Sequence, residues 1–473
     1  MKRRLIPLMA TASLLAGCAA GPNYVAPTPT APAQTPFASA AAPAFVPDEP
    51  PAQWWRLFEA PALDRLVEEA LAANTDLRVA AANLEQARAA LRETRNARLP
   101  STTVSGSAGY GRSSGAAAGL AGPGPEGESY DLGLDVAYQV DLFGRIRRGI
   151  EAGRADLGAA QASYDLARIS VVAETARAYV DACDAGRQIA VARESLRVQE
   201  ETFDLTRRLV EGGRGTALDS SRAAALLEQT RADIPRLEAE RKAALFRLAV
   251  LTGKPPTQFP TDVAACATPP AVRTTIPVGD GASLLARRPD VRAAERRLAA
   301  ATARIGVATA DLYPSIRLGG SVGSTAATGD DLFSERGFRF SLGPLISWSF
   351  PNIGAARARI AQARAAEQGA LATFDGTWLN ALQESESALT RYAAEGERLA
   401  TLRRGRDQSA EAARIARLRY REGAESFQIV LDAERSLASA EALLALSQAQ
   451  FADNAITLFL ALGGGWEAAP DQE

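Results

Sequence analysis

The feature that most constrains this chain is that much of it is written twice. Asn74-Thr75-Asp76-Leu77 is matched by Arg288-Pro289-Asp290-Val291, 214 residues on. The same separation relates Leu84 to Leu298, Leu99-Pro100-Ser101 to Tyr313-Pro314-Ser315, and Gly106 to Gly320. From Tyr164 onward the separation is 210: Tyr164-Asp165 with Phe374-Asp375, Glu174 with Glu384, Gly186 with Gly396, Gly213 with Gly423, Leu248 with Leu458 and Gly253 with Gly463. The slip falls between Gly109 and Tyr138, where the first copy carries Gly-Pro-Gly-Pro-Glu-Gly. A register held over so long a stretch means one supersecondary unit present in two copies.

Each copy reads as helix, hairpin, helix. Tyr130, Leu132, Leu134, Val136, Tyr138 and Val140 alternate with Asp131, Gly133, Asp135, Ala137, Gln139 and Asp141, the period-2 pattern of a strand with one oily and one wet face. The second copy places Phe338, Phe340, Leu342, Ile346, Trp348 and Phe350 against Arg339, Ser341, Gly343, Ser347 and Ser349, with Pro344 interrupting the oily series. Thr102 to Gly111 and Ile316 to Gly323 supply the preceding strands. Residues 144–211 and 354–421 contain no proline and are rich in Ala, Arg, Glu, Gln and Leu, so each is expected to be one helix of about 100 Å. Ile189, Leu196, Phe203 and Val210 recur every seven residues like a coiled-coil seam. Shorter helices are expected at about 61–97, 217–251, 282–310 and 427–462, with Pro235 kinking one of them.

The fold class is therefore mainly α with β, a tandem-duplicated helix–β-hairpin–helix unit. Repeat 1 spans 54–252, with its hairpin at about 102–141. An inter-repeat linker follows at 253–282. Repeat 2 spans 283–463, with its hairpin at about 315–350, and 464–473 is a C-terminal tail.

The sheet has two readings, a soluble sheet with one buried face or an outer-membrane barrel with apolar side chains in lipid and polar ones in a lumen. Aromatics near the strand ends (Tyr130, Tyr138, Phe338, Trp348, Phe350) favour the barrel. Four strands cannot close one, and an open edge in lipid leaves backbone groups unsatisfied. Two copies would give a barrel filled by its own side chains. Three would give twelve strands and a wider bore.

Composition removes other classes. No run of 18 apolar residues occurs, so no helical span is expected. The chain has no histidine, which excludes His-based triads and His metal sites, and no nucleophile–base pair stands out, so no enzyme is expected. With 53 basic against 55 acidic residues there is no electrostatic footprint for nucleic acid. The three cysteines make no disulfide framework; Cys183 reads as a small packing residue in a helix, Cys266 as a linker residue, and no pairing between them is expected.

Lys2, Arg3 and Arg4, a short apolar stretch and Leu15-Ala16-Gly17-Cys18 read as a signal peptide over 1–17. The ending resembles a bacterial lipoprotein box, which implies a covalent lipid on Cys18 and, with Ala19 following it, sorting to the outer membrane. Residues 18–53 are expected to be lipidated N-terminus and extended tether, with order beginning near Trp54-Trp55.

Together these features resemble the TolC-like outer-membrane factors, in particular the lipoprotein, NodT-type branch serving resistance-nodulation-division efflux pumps. The resemblance rests on Leu-Ala-Gly-Cys followed by Gly21-Pro22-Asn23-Tyr24, on Trp54-Trp55, on the duplicated unit, and on Tyr420-Arg421-Glu422-Gly423 leading to Val430-Leu431-Asp432-Ala433. It implies a homotrimer whose 12-stranded β-barrel sits in outer-membrane lipid on a periplasmic α-helical tunnel. It also implies a periplasmic adaptor and an inner-membrane resistance-nodulation-division transporter as partners, and a passive exit route for small toxic compounds. No cofactor is implied beyond the lipid.

The resemblance further implies a periplasmic gate. Asp432 matches the aspartate of an acidic ring, with Arg435 able to pair with it. Tyr420 and Asp219 are a candidate latch, and Ile429 stands where a second ring aspartate occurs in more distant members. Gly213 and Gly423 read as turns at the helix tips. Read without the family, Asp432 and Arg435 are an i,i+3 pair on a solvated face. A protein-secretion duct, a metal-efflux duct and a non-conducting scaffold between membranes are the alternatives.

Overall fold

Period-2 alternation becomes a four-stranded antiparallel sheet in the computed structural model, which describes residues 19–27 and 36–464 apart from 113, 117, 118, 120, 273, 282, 283, 285, 286 and 352. The strands are β2 (Ser101–Arg112), β3 (Glu126–Val140), β5 (Ser315–Ala326) and β6 (Phe338–Ser347), hydrogen-bonded in the order β2-β3-β5-β6. Thr102 opposite Val136 in the first hairpin and Ile316 opposite Ile346 in the second are the same pair one repeat apart, so the sequence duplication is also a duplication of strand register. The oily face is exposed in the single chain, with Val104, Leu134, Val322 and Phe340 among its uncovered side chains. On the polar face Arg339 donates to Asp131 at 2.9 and 3.0 Å and to Thr325 at 2.9 Å. The sheet belongs to a unit of residues 19–27, 84–160 and 293–375; residues 36–83, 161–292 and 376–464 form the other.

Among the described residues the rest is carried by seven α-helices, α1 (Pro61–Ala73), α2 (Thr75–Asn96), α3 (Arg145–Glu211), α4 (Ala217–Leu251), α5 (Pro289–Ala310), α6 (Gly354–Arg421) and α7 (Phe427–Ala461), and by a short parallel pair, β1 (Phe45–Val46) on β4 (Ile276–Pro277). The helix expected over 61–97 is two, because Asn74 caps the second: its Oδ1 accepts from the backbone N–H of Asp76 at 2.9 Å and Leu77 at 3.1 Å. Its Nδ2 donates to the Leu251 carbonyl at the end of α4, 3.1 Å away. Arg288, the repeat partner of Asn74, donates to the Ala461 carbonyl at the end of α7 at 3.1 Å, and its other nitrogens bind Asp290 and Glu384. Two unlike side chains thus satisfy the same orphan carbonyl in the two copies. Pro235 lies inside α4 without ending it.

The core of the second unit forms around Trp54, fully buried and stacked on Phe459 with ring centroids 5.1 Å apart. Phe37, Phe45 and Ile276 are buried in the same cluster. Order therefore begins before Trp54, and the tether expectation for 18–53 fails there, because two phenylalanines in an Ala- and Pro-rich stretch suffice to anchor it on this core.

The expectation that Cys183 and Cys266 stay unpaired is also overturned. They form a disulfide with Cα atoms 4.8 Å apart, tying the inter-repeat segment to α3. One turn beyond, Gly186 has no side chain because a Cβ would collide with the Cys266 carbonyl oxygen. Spacing of 83 residues carries no information about this approach; only the chain crossing does. Beside it, Asp184 is 6% exposed, accepts from Gln188 Nε2 at 2.6 Å and has its second oxygen buried without a partner among the described residues. Burial pushes its carboxyl up to about 6, with Asp181 adding to the shift and Gln188 and Arg187 opposing it.

Two outcomes are expected. Reduction, or replacing both cysteines by alanine, lowers stability by about 2–4 kcal/mol, read as an earlier urea midpoint for detergent-solubilised protein. An unmoved midpoint would show that the bond constrains nothing. For Asp184 the folded pKa lies above the unfolded one, so its cost is absent near pH 4 and complete above about pH 7. Asp184→Asn is therefore stabilising by about 1–3 kcal/mol at pH 8, with the gain vanishing toward pH 4 in thermal unfolding.

Candidate functional site

Two helix pairs, α3–α4 and α6–α7, are joined by turns of one design. Gly213 at φ 71° and Gly423 at φ 73° occupy the left-handed region. Arg214 N donates to Leu209 O and Ala424 N to Arg419 O, both at 2.8 Å, closing each helix in a Schellman turn. The turns differ in the cap that follows. Thr216 and Asp219 form a reciprocal capping box: Thr216 Oγ1 donates to Asp219 Oδ2 at 2.6 Å, and the Asp219 carboxylate also accepts from Thr216 N at 3.1 Å. Ser426 makes no side-chain cap bond, and Ile429, at the position equivalent to Asp219, has no carboxylate to close a box.

Tyr420 is 9% exposed and packs on Phe427 in a cluster with Ala223, Leu226, Ala416, Val430 and Leu431. Its phenol lies beside Thr206, whose own hydroxyl donates to the Thr202 carbonyl at 2.8 Å. Burial raises the Tyr420 pKa, Thr206 opposes the shift and the Asp219 charge adds to it, so the phenol stays neutral. Within one chain, then, the candidate latch residues serve other partners: Tyr420 holds α3, and Asp219 caps α4. The side chains along Ile189, Leu196, Phe203 and Val210 are only partly covered beyond Ile189, while Gln199, Thr202 and Thr206 are the buried face of α3 here.

Asp432 is exposed and accepts from Gln428 Nε2 at 3.0 and 3.2 Å; Gln428 Oε1 in turn accepts from Arg222 of α4 at 2.9 Å. Arg435 is exposed and pairs with none of the described residues, so the i,i+3 pair does not form within the chain. Glu434, just before Arg435, was not among the candidates. It is 3% exposed, faces Arg417 Nε at 3.2 Å and accepts from Gln199 Nε2 at 3.3 Å, joining α3, α6 and α7. Burial raises its pKa against both of those groups. The signal was legible: Glu434 continues the buried spacing Phe427, Val430, Leu431 at i+7.

A second site lies at the start of the described chain. Cys18 lies outside the described residues, but Ala19–Tyr24 is docked rather than extended as a free tether. Arg148, 4% exposed, donates to Ala20 O at 3.2 Å, Gly21 O at 3.3 Å and Asn23 Oδ1 at 2.7 Å, and its remaining nitrogen meets Glu151. Gly306 admits the strap, since a Cβ there would press on Arg148 and the Ala20 carbonyl. Tyr24 hydrogen-bonds Glu295 and rests on Ala155, Ala299 and Ala300. Ala20 N bonds Phe143 O at 3.1 Å, three residues past β3, where Phe143 stacks on Tyr313 at 4.5 Å. Gly-Pro-Asn-Tyr is thus a docking sequence whose receptor is a buried arginine.

The chain resembles known proteins over nearly its whole length. Residues 66–254 and 282–464 match the outer membrane efflux protein family. The chain is 32% identical to nodulation protein T of Rhizobium leguminosarum bv. trifolii over 96% of each chain. It is 32% identical to the antibiotic efflux pump outer membrane protein ArpC of Pseudomonas putida, covering 98% of this chain and 96% of the other. Its fold superposes on the outer-membrane channel OprN with a TM-score of 0.90 and 40% identity, covering 95% of this chain and all of that one. The chain belongs to the outer membrane efflux protein family.

Proposed function

We propose that three copies of this chain form the passive exit duct of a tripartite efflux pump, carrying small toxic compounds across the outer membrane. The observation that carries this is the sheet: one oily face, one polar face, and two edge strands with no partner among the described residues. Three chains give twelve strands, wide enough for an aqueous bore. An inner-membrane resistance-nodulation-division transporter supplies the energy and a periplasmic adaptor joins it to the duct. The duct performs no chemistry.

Asp432 and Arg435, both exposed on α7, are proposed to line the periplasmic constriction. Three carboxylates about one axis attract cations and are drawn together by a bridging one, so the ring closes the bore more firmly when a cation sits in it. Tyr420 and Asp219 are proposed to hold the closed tips from adjacent helix pairs. Acylation of Cys18 anchors the chain in the outer membrane, and the docked Ala19–Tyr24 strap sets where that anchor enters.

Two experiments test this. In planar bilayers the purified protein opens channels, and Asp432→Ala raises mean conductance by roughly severalfold and abolishes block by divalent cations. A protein that stays silent in both forms would end the duct reading. For the anchor, radiolabelled palmitate is expected in the wild type and absent from Cys18→Ser; equal labelling would place the lipid elsewhere.

A further inference from the structure

The two open sheet edges carry enough information to say how neighbouring copies meet. Resting on the three-copy barrel proposed above, we infer that β6 of one chain pairs antiparallel with β2 of the next in a register that sets Ile346 opposite Val104, Leu342 opposite Ala108 and Phe340 opposite Tyr110 on the lipid face. On the luminal face the same register sets Leu345 opposite Ser105.

The need for a neighbour is visible in the burial of repeat-equivalent side chains. Leu132 and Val136 of β3, flanked on both sides, are 41% and 37% exposed. Their counterparts in β6, Leu342 and Ile346, are 88% and 63% exposed, because β6 has a strand on one side only. Val104 and Tyr110 on β2 are 75% and 71% exposed for the same reason.

The register follows from closure. Paired positions run across one chain from Val104 to Leu134, Val322 and Phe340. Copying the β3–β5 joint onto the junction between chains would set Phe340 opposite Arg112, a slide of 8 residues per chain. Around twelve strands that slide tilts the barrel by about 54°, beyond the usual 35–45°. It also brings a lipid-facing phenylalanine against the arginine that pairs with Glu126. Withdrawing by two residues preserves the faces, lowers the tilt to about 46°, at the upper edge of that range, and matches aromatic with aromatic and aliphatic with aliphatic. Withdrawing two more gives a tilt of about 35° but sets Pro344 on Val104 and Ile346 on Thr102, losing both matches.

Cysteine cross-linking reads the register directly. Ser105→Cys is combined in turn with Leu345→Cys, Ser347→Cys and Gly343→Cys, in the otherwise wild-type chain, and the purified oligomer is oxidised and run on denaturing gels. Position 343 has open space for a side chain. The expected result is covalent dimers and trimers for Ser105→Cys with Leu345→Cys, at least severalfold above the other two pairs. Predominant linkage through position 347 would establish the copied register, and through 343 the shallower one; either overturns the proposal. A native mass measurement of the untreated wild type separates the two levels: a mass other than three chains sinks the trimer, whereas a trimer linked at the wrong position sinks only the register. A trimer that links at none of the three positions also overturns it.

Discussion

At membrane depth every backbone N–H and C=O needs a partner, since lipid offers none and each unmet group costs several kcal/mol. Among the described residues β3 and β5 are paired on both sides, whereas β2 and β6 each leave one edge open. The rest of the architecture answers to this deficit. A chain with two hairpins cannot close a barrel alone, so its stability in lipid is inseparable from association with copies of itself. The polar face has to point away from lipid, which gathers Asp131, Thr325 and Arg339 about a common interior. A bore is what remains when those requirements are met by enough strands.

Duplication makes the association possible by supplying two like hairpins per chain. What the two copies conserve is the location of a solved problem rather than the residue that solves it. The carbonyls of Leu251 and Ala461 are equivalent positions, yet an amide serves the first and a guanidinium the second. Arg288 can then also bind Glu384, so the second copy gains a cross-helix ion pair that Asn74 cannot make. The tips show the converse: identical Schellman turns, but a capping box at Asp219 and an isoleucine in its place at 429. Such departures are where the two halves of a pseudo-repeat are free to take different roles.

The elements legible in the sequence were those governed by local periodicity. Period-2 alternation located β3 and β6, the absence of proline located α3 and α6, and the paired glycines located both tips. What the sequence left hidden depended on chain crossings that no local pattern records. Cys183 and Cys266 meet because the inter-repeat segment passes over the bare Gly186. Phe37 and Phe45 looked like tether because their burial depends on Trp54 and on strand β4, far along the chain. Gly-Pro-Asn-Tyr was recognisable as a motif, but its receptor, Arg148, is one arginine among many. Asp219 was chosen by spacing to a glycine, and the same spacing is what a capping box requires, so two roles fit one position.

Packing differs along the second unit in a way that bears on movement. Around Trp54 a large apolar cluster, with Phe58, Leu63, Leu248 and Phe459 among its buried members, packs closely. Toward the tips the buried face of α3 is Gln199, Thr202 and Thr206, and its neighbours are Tyr420, Glu434 and Arg417. Threonine hydroxyls there already bond their own helix carbonyls, so Tyr420 can leave Thr206 without stranding it. Glu434 holds three helices through one carboxylate, an arrangement that keeps its bonds only while those helices stay in register. A seam of this kind has less apolar burial to lose than the Trp54 core, and opening free energy is lowest where such burial is smallest. The proposed gate therefore sits at the end of the helices that packing holds least firmly, and the Trp54 core supplies the fixed frame against which those ends can part.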